Sequence, residues 1–317
     1  MGRTSRGLEG GRVLPNGILF VDKAEGWTSH DVVARSRRAL GTKKVGHAGT
    51  LDPMATGLLT LGAGPATRLL TYMVGLDKTY VTTIRLGATT VTDDREGDVL
   101  ELADPEVLAR VDAAAIMQAV APLTGAIMQS PSAVSAIKVD GKRAYDLVRA
   151  GEEVELKQRP VTVHEFSLGQ PRPATLPSGE PAIDIDATVR CSSGTYIRAL
   201  ARDLGKALGV GGHLVALRRT AVGPFSVEDA ISMEQLVSGE SPALHSPAAI
   251  AATLFPTINL TEQQTTDLSQ GKSLAVPDAD DAPVVGAMAP DGRLVGLVKI
   301  RRGATRVVVN FPTGGAQ

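Results

Sequence analysis

Apolar and polar positions along the chain sort into short runs of period two and a few stretches of helical period. In Ala182–Arg190, Ile183, Ile185, Ala187 and Val189 alternate with Asp184, Asp186, Thr188 and Arg190, which predicts a half-buried antiparallel strand. Gly17–Asp22 (GILFVD) is a brief apolar run that predicts a buried strand. Leu58–Leu61, Thr79–Gly87 and Val161–Leu168 read as further strands. Tyr196–Leu208 is the most regular helical pattern. Ile197, Leu200, Ala201, Leu204 and Leu208 make one apolar stripe, and Arg198, Arg202 and Lys206 follow at four-residue intervals on a different face. Ser29 is the expected N-cap of a helix that ends near Leu40 and Gly41. Pro105 and Asp112 mark helix starts, with helical signals continuing to Val120.

The segments between carry other signals. Residues 1–16 are rich in Gly and Arg and are expected to be loosely ordered. Lys43–Gly57 holds too much Gly, Pro and Thr for a regular element and reads as an ordered loop. Asp93–Glu106 carries seven acidic residues and one basic one, and reads as a solvated loop leading into a helix. Gly125–Glu155 is mixed and carries Lys138, Lys142, Arg143 and Arg149. Ser238–Pro247 reads as a linker. The tail beyond it, with a helical piece at Thr261–Gln270 and β-runs at Arg293–Ile300 and Thr305–Phe311, predicts a small β-rich domain over 250–317. The main domain then covers 17–240. No internal repeat is present. The class is α+β, a mostly antiparallel mixed sheet flanked by helices.

Composition narrows the function classes. The formal net charge of −1 over 317 residues is not that of a uniformly basic nucleic-acid domain, so any RNA contact would have to come from local patches. A single cysteine, Cys191, excludes an intramolecular disulfide and a multi-cysteine zinc site, and fits a reducing, cytoplasmic setting. Leu14-Pro15 interrupts the one candidate for a signal-peptide core. The uncharged stretch Ala113–Ile137 contains Pro122, Gly125 and Pro131, so no membrane span is expected there.

Three stretches are candidates for chemistry. Gly46-His47-Ala48-Gly49-Thr50-Leu51-Asp52-Pro53 combines two glycines, which let backbone approach a ligand, with a histidine and a carboxylate, behind the basic pair Lys43-Lys44. An isolated Asp-Pro usually only caps a turn; here the surroundings favour a site. Ser193-Gly194-Thr195-Tyr196-Ile197-Arg198 opens a helix, so its N–H groups and Arg198 can face an anion. Asp77-Lys78-Thr79-Tyr80 places a tyrosine at a strand start, a position that is more often structural. Other constellations fail. Ser29-His30-Asp31 has triad residue types, but helical neighbours point apart. Gly62-Ala63-Gly64 lacks the third glycine of a dinucleotide site, there is no phosphate-loop motif, and the five histidines show no metal-ligand spacing. A redox or metal enzyme is therefore disfavoured, and no cofactor is expected.

At these stretches the chain resembles the TruB-type bacterial tRNA pseudouridine-55 synthases. The resemblance is carried by GILFVDKAEGWTSHDVV (17–33), GHAGTLDPMATGLL (46–59), LDKTY (76–80), PSAVSAIKVDGKRAYDLVRAG (131–151), CSSGTYIRALARDLG (191–205) and HLVALRRTAVGPF (213–225). These follow one another in the family's order over most of 17–235. The resemblance implies that Asp52 is the catalytic aspartate, that Tyr80 stacks on the target uracil and that Arg198 pairs with the aspartate. It implies that His47 helps hold a flipped-out nucleotide, that Tyr196 and Leu217 line the base pocket, and that Lys23, Lys43 and Lys44 serve substrate binding. Family members usually have Lys-Pro where this chain has Lys23-Ala24, which puts the local backbone in question. The tail resembles a small PUA-like RNA-binding domain.

The implied reaction is base flipping, cleavage of a uridine's glycosidic bond and re-attachment through carbon. It needs no cofactor and an ionised carboxylate, which a nearby arginine favours. The implied substrate is the T-arm of tRNA, with no membrane and no protein partner required, and a monomer is expected. Arg35, Arg37, Arg38, Lys43 and Lys44, with the Arg198/Arg202/Lys206 face and Arg218-Arg219, are the expected phosphate-tracking patches. The alternatives are the catalytic subunit of a guide-RNA-dependent pseudouridine synthase, as in the dyskerin-like relatives, and an RNA-binding or RNA-folding protein without turnover.

Overall fold

The computed structural model describes residues 15–132 and 157–311, together with the backbone of 138–139 and 142–143. The expectations for residues 1–14, and for the side chains of Lys138, Lys142, Arg143 and Arg149, lie outside the described residues.

One large sheet organises the body of the molecule. Its path runs Ile231–Ser232, β1 (Gly17–Lys23), β3 (Thr56–Ala63), β10 (Gly212–Val222), β4 (Lys78–Leu86), β9 (Pro181–Cys191), β8 (Arg159–Leu168) and β7 (Gly125–Gln129). β2 (Val45–His47) pairs with β3. β1 with Ile231–Ser232 and β3 with β10 are parallel, whereas the other pairs along the path are antiparallel. Helix α1 (Ser29–Ala39) follows β1, α2 (Ala113–Val120) precedes β7, and α3 (Ile197–Leu208) follows β9.

The strands form where the period-two pattern places them, because one face packs on helices. Ile185, Ala187 and Val189 of β9 join Leu200, Ala201 and Leu204 of α3 in one apolar cluster. α3 lies close against β10: a Cβ on Gly205 would meet the Gly211 carbonyl carbon at 2.1 Å. Only glycine allows that approach.

Several expectations change. Lys43–Gly57 is not all loop: β2 occupies Val45–His47, and β3 already begins at Thr56. The N-cap of α1 is Thr28, which forms a capping box with Asp31, and Ser29 is the first helical residue. The acidic run Asp93–Glu106 is not simply solvated. Asp93 and Asp94 are buried, and Val99–Leu102 forms β6, paired with β5 (Ala88–Thr90).

The tail holds a four-stranded sheet, Thr257–Asn259, Ala282–Met288, Leu294–Arg301 and Ala304–Asn310. Ile250, Met288, Leu294, Leu297 and Phe311 share an apolar cluster with Ile18, Phe20, Leu58 and Leu69 of the large sheet and its flank. The expected linker is docked: His245 exchanges two backbone hydrogen bonds with Ile18, and its ring lies 4.8 Å from that of Phe20.

Candidate active site

The loop before β3 is pinned along its length. Ala48, Leu51, Met54 and Ala55 are buried and fasten it from below. Its polar backbone is held by side chains from elsewhere. Ser29 Oγ accepts from Leu51 N at 2.9 Å and donates to Leu51 O at 3.1 Å. Lys23 Nζ and the Gly26 amide both donate to Pro53 O, at 3.2 and 3.0 Å. Arg219 donates to Gly49 O and Thr50 O. Gly57, at φ +100°, lets β3 pass β10: a Cβ there would sit 2.2 Å from Arg219 O. Between buried Leu51 and exposed Pro53, Asp52 is partly open, its side chain 42% exposed.

Arg198 comes from the first turn of α3. Gln129, itself buried, anchors that helix start: its Oε1 accepts from Tyr196 N at 2.8 Å and its Nε2 donates to Tyr196 O at 3.0 Å. Arg198 Nε lies 3.1 Å from Asp52 Oδ2. Its Nη1 donates to Thr92 O at 2.8 Å and to Asp94 Oδ2 at 3.2 Å. Asp94 is 2% exposed. Its other oxygen accepts from Thr92 Oγ1 and Glu96 N. One guanidinium therefore bridges a partly open carboxylate and a buried one.

A cavity of about 300 Å³ opens beside this pair, lined among others by Asp52, Tyr80, Tyr196, Arg198, Leu217 and Arg219. That is the lower end of the range for ligand clefts and suits one nucleotide. Burial pushes the Tyr80 phenol above its ordinary pKa, against the pull of Arg219, so it is neutral at physiological pH. Lys78, also on the lining, has its amine lowered to about 8 by burial and donates to Val74 O, Leu76 O and Ser193 Oγ.

Asp52, Tyr80, Arg198, Tyr196 and Leu217 are thus brought together around one cavity. The other expected residues lie elsewhere. Lys23 is 0% exposed, its amine donates to the carbonyls of Ala24, Trp27 and Pro53, and burial lowers its pKa to about 8. It positions loop backbone rather than substrate. His47 is half-buried off the cavity lining, its ring 6.3 Å from that of His30, and burial lowers its pKa. Lys43 and Lys44 are exposed.

The expected phosphate-tracking faces also change. Arg198 is buried, and Arg202 turns to Asp93 at 3.1 Å and to Ser130 O. Arg218 is paired with Asp22, and Arg219 is 1% exposed. The 35–44 patch remains at the surface, with Arg35, Arg37 and Arg38 exposed and Arg35 stacked 5.6 Å over Trp27. Sequence reasoning missed Gln129, and it gave Ser29, Asp94 and Arg219 other roles: a helix cap, a member of a solvated acidic run and a phosphate contact. Among the described residues no cluster of His, Cys, Asp and Glu could hold a metal ion.

Three family models match the chain. The TruB family pseudouridylate synthase N-terminal domain matches residues 37–197, the tRNA pseudouridylate synthase B C-terminal domain 198–250, and the tRNA pseudouridine synthase II C-terminal domain 255–312. The chain is 56% identical over 303 residues to tRNA pseudouridine synthase B of Leifsonia xyli subsp. xyli, covering 95% of this chain and 98% of that protein. It is 53% identical over 306 residues to the protein of the same name from Paenarthrobacter aurescens, covering 94% and 96%. Its fold is similar to that in the structure of an H/ACA RNP bound to a substrate RNA containing 2′-deoxyuridine. The TM-score is 0.68 at 24% identity, covering 94% of this chain and 86% of that one.

Proposed function

The chain belongs to the TruB family of pseudouridylate synthases and is an isomerase that converts uridine to pseudouridine in tRNA, and from that premise we propose that its target is the T-loop uridine and that Asp52 is its catalytic carboxylate. The observation that carries the assignment is the 3.1 Å contact between Arg198 Nε and Asp52 Oδ2 at the wall of a nucleotide-sized cavity. The isomerisation breaks the bond from C1′ to N1 and makes one from C1′ to C5; the C5 hydrogen leaves as a proton and N1 gains one. Asp52 serves this by attacking the ring, attacking the sugar carbon, or taking a proton from the sugar. Arg198 holds the carboxylate in a fixed orientation.

Tyr80 and Tyr196 supply aromatic surface that offsets the unstacking of the flipped base, and Leu217 closes the apolar side. His47 with Lys43 and Lys44 then meets the RNA outside the cavity. The tail acts as the PUA-like RNA-binding part. The enzyme acts as a monomer that needs no protein partner, in the cytoplasm, where its tRNA substrate is. Among the described residues no helix is long and apolar enough to cross a membrane.

The test is Asp52→Asn on unmodified tRNA. Turnover is abolished and tRNA binding is kept. Pseudouridine formed by that variant removes the assignment. Product formed by pure wild-type protein without added guide RNA excludes the guide-dependent alternative.

A further inference from the structure

Arg219 has no part in the chemistry described above, yet it touches more of the site than any lysine does. It lies on β10 as the direct cross-strand partner of Tyr80 on β4, so the two side chains are neighbours on one face. The register slips just beyond it, between Arg219 and Ala221, an irregularity of the kind that re-aims side chains. Both residues line the cavity. The guanidinium is committed in several directions: Nε donates to Leu58 O at 2.7 Å, Nη1 to Thr50 O at 3.3 Å and Nη2 to Gly49 O at 3.2 Å. Among the described residues it forms no ion pair, and its donors are spent on backbone carbonyls. An arginine only donates and cannot be neutralised.

We propose that Arg219 is a positioning residue for pseudouridine formation: from its place across from Tyr80 it ties the backbone of the loop that bears Asp52 to the strand beside that ring, fixing ring and carboxylate relative to each other across the cavity. This rests on the reading of the site given above. Loss of the tie lets the two groups drift relative to each other. A misplacement of about 1 Å is enough to cost ~100-fold in rate.

The experiment uses the full chain and unmodified tRNA transcript under single-turnover conditions, with tRNA affinity measured in parallel. Arg219→Lys keeps the charge but loses the fork that reaches several acceptors. Its rate constant falls by roughly 100-fold while affinity is little changed. The same variant exchanges the backbone amides of residues 49–52 faster than wild type, because the carbonyls of Gly49 and Thr50 lose their donor. An undiminished rate in Arg219→Lys, or unchanged exchange over residues 49–52, overturns the proposal. Should Arg219→Lys fail to fold, Arg219→Gln is measured in its place, and the same two outcomes decide. Absence of product from wild type is a different result, one that removes the family-based reading itself.

Discussion

Asp94 stands behind Arg198, its carboxylate 3.2 Å from the Nη1 that points away from the cavity. The acid is almost fully buried and sits on a loop whose other members are also engaged: Asp93 with Arg202, and Arg95 with Glu25. Arg198 is thus held from the rear by a group that no substrate reaches. Asp94→Asn is expected to lower turnover ten- to a hundredfold with tRNA affinity kept, because the buried guanidinium loses its counter-charge and its aim. Single-turnover kinetics beside a binding assay check this. A loss of affinity with an unchanged rate constant contradicts it.

Lys23 gives a prediction in pH. Its folded amine is lowered to about 8 by burial, against an ordinary 10.5. Between those values the unfolded chain binds more protons than the folded one, so this residue's contribution to stability rises with pH. Wild type should gain on Lys23→Met by ~1.4 kcal/mol per pH unit at most across about pH 8 to 10.5. Denaturant unfolding of both proteins at several pH values measures it, and parallel stability curves rule it out.

The surface patch at Arg35–Lys44 makes tRNA binding depend on salt. Changing Lys43 and Lys44 together to Gln is expected to weaken binding and to flatten the plot of log affinity against log salt by ~1–2 units of slope, since each phosphate contact contributes roughly 0.7–0.9. Filter binding at several salt concentrations tests it, and an identical slope counts against RNA contact by this pair.

Deleting residues 250–317 looks, from the sequence, like removal of an appended domain, with a cost in affinity alone. The shared apolar cluster predicts a cost in stability first, because Ile18, Phe20 and Leu58 lose their cover. The truncated chain should melt several degrees lower than the full chain, or fail to accumulate as soluble protein. Equal melting temperatures exclude this.

What was legible in the sequence was what is local or strongly periodic. The alternation in β9 and the stripe on α3 could be read directly, and the motif resemblance gathered Asp52, Tyr80, Tyr196, Arg198 and Leu217 onto what is one cavity. The supports were not legible, because their partners are distant in the chain. Asp94 meets Arg198 across 104 residues, and Arg219 meets Gly49 across 170. Composition alone marks a run of seven acids as solvated. Which two of them are buried depends on where α3 packs, and no local pattern records that. Lys23 misled for the opposite reason. A lysine in a functional motif invites a contact with substrate, but its place under the loop follows from tertiary packing around Pro53.

The apolar seam between the large sheet and the tail also bears on recombination. A chimaera that joined this body to the C-terminal region of a relative would set Met288, Leu294, Leu297 and Phe311 aside for foreign side chains pressed against Ile18 and Phe20. Such a graft has to carry matching changes on both sides of the joint, so the two parts trade as a set.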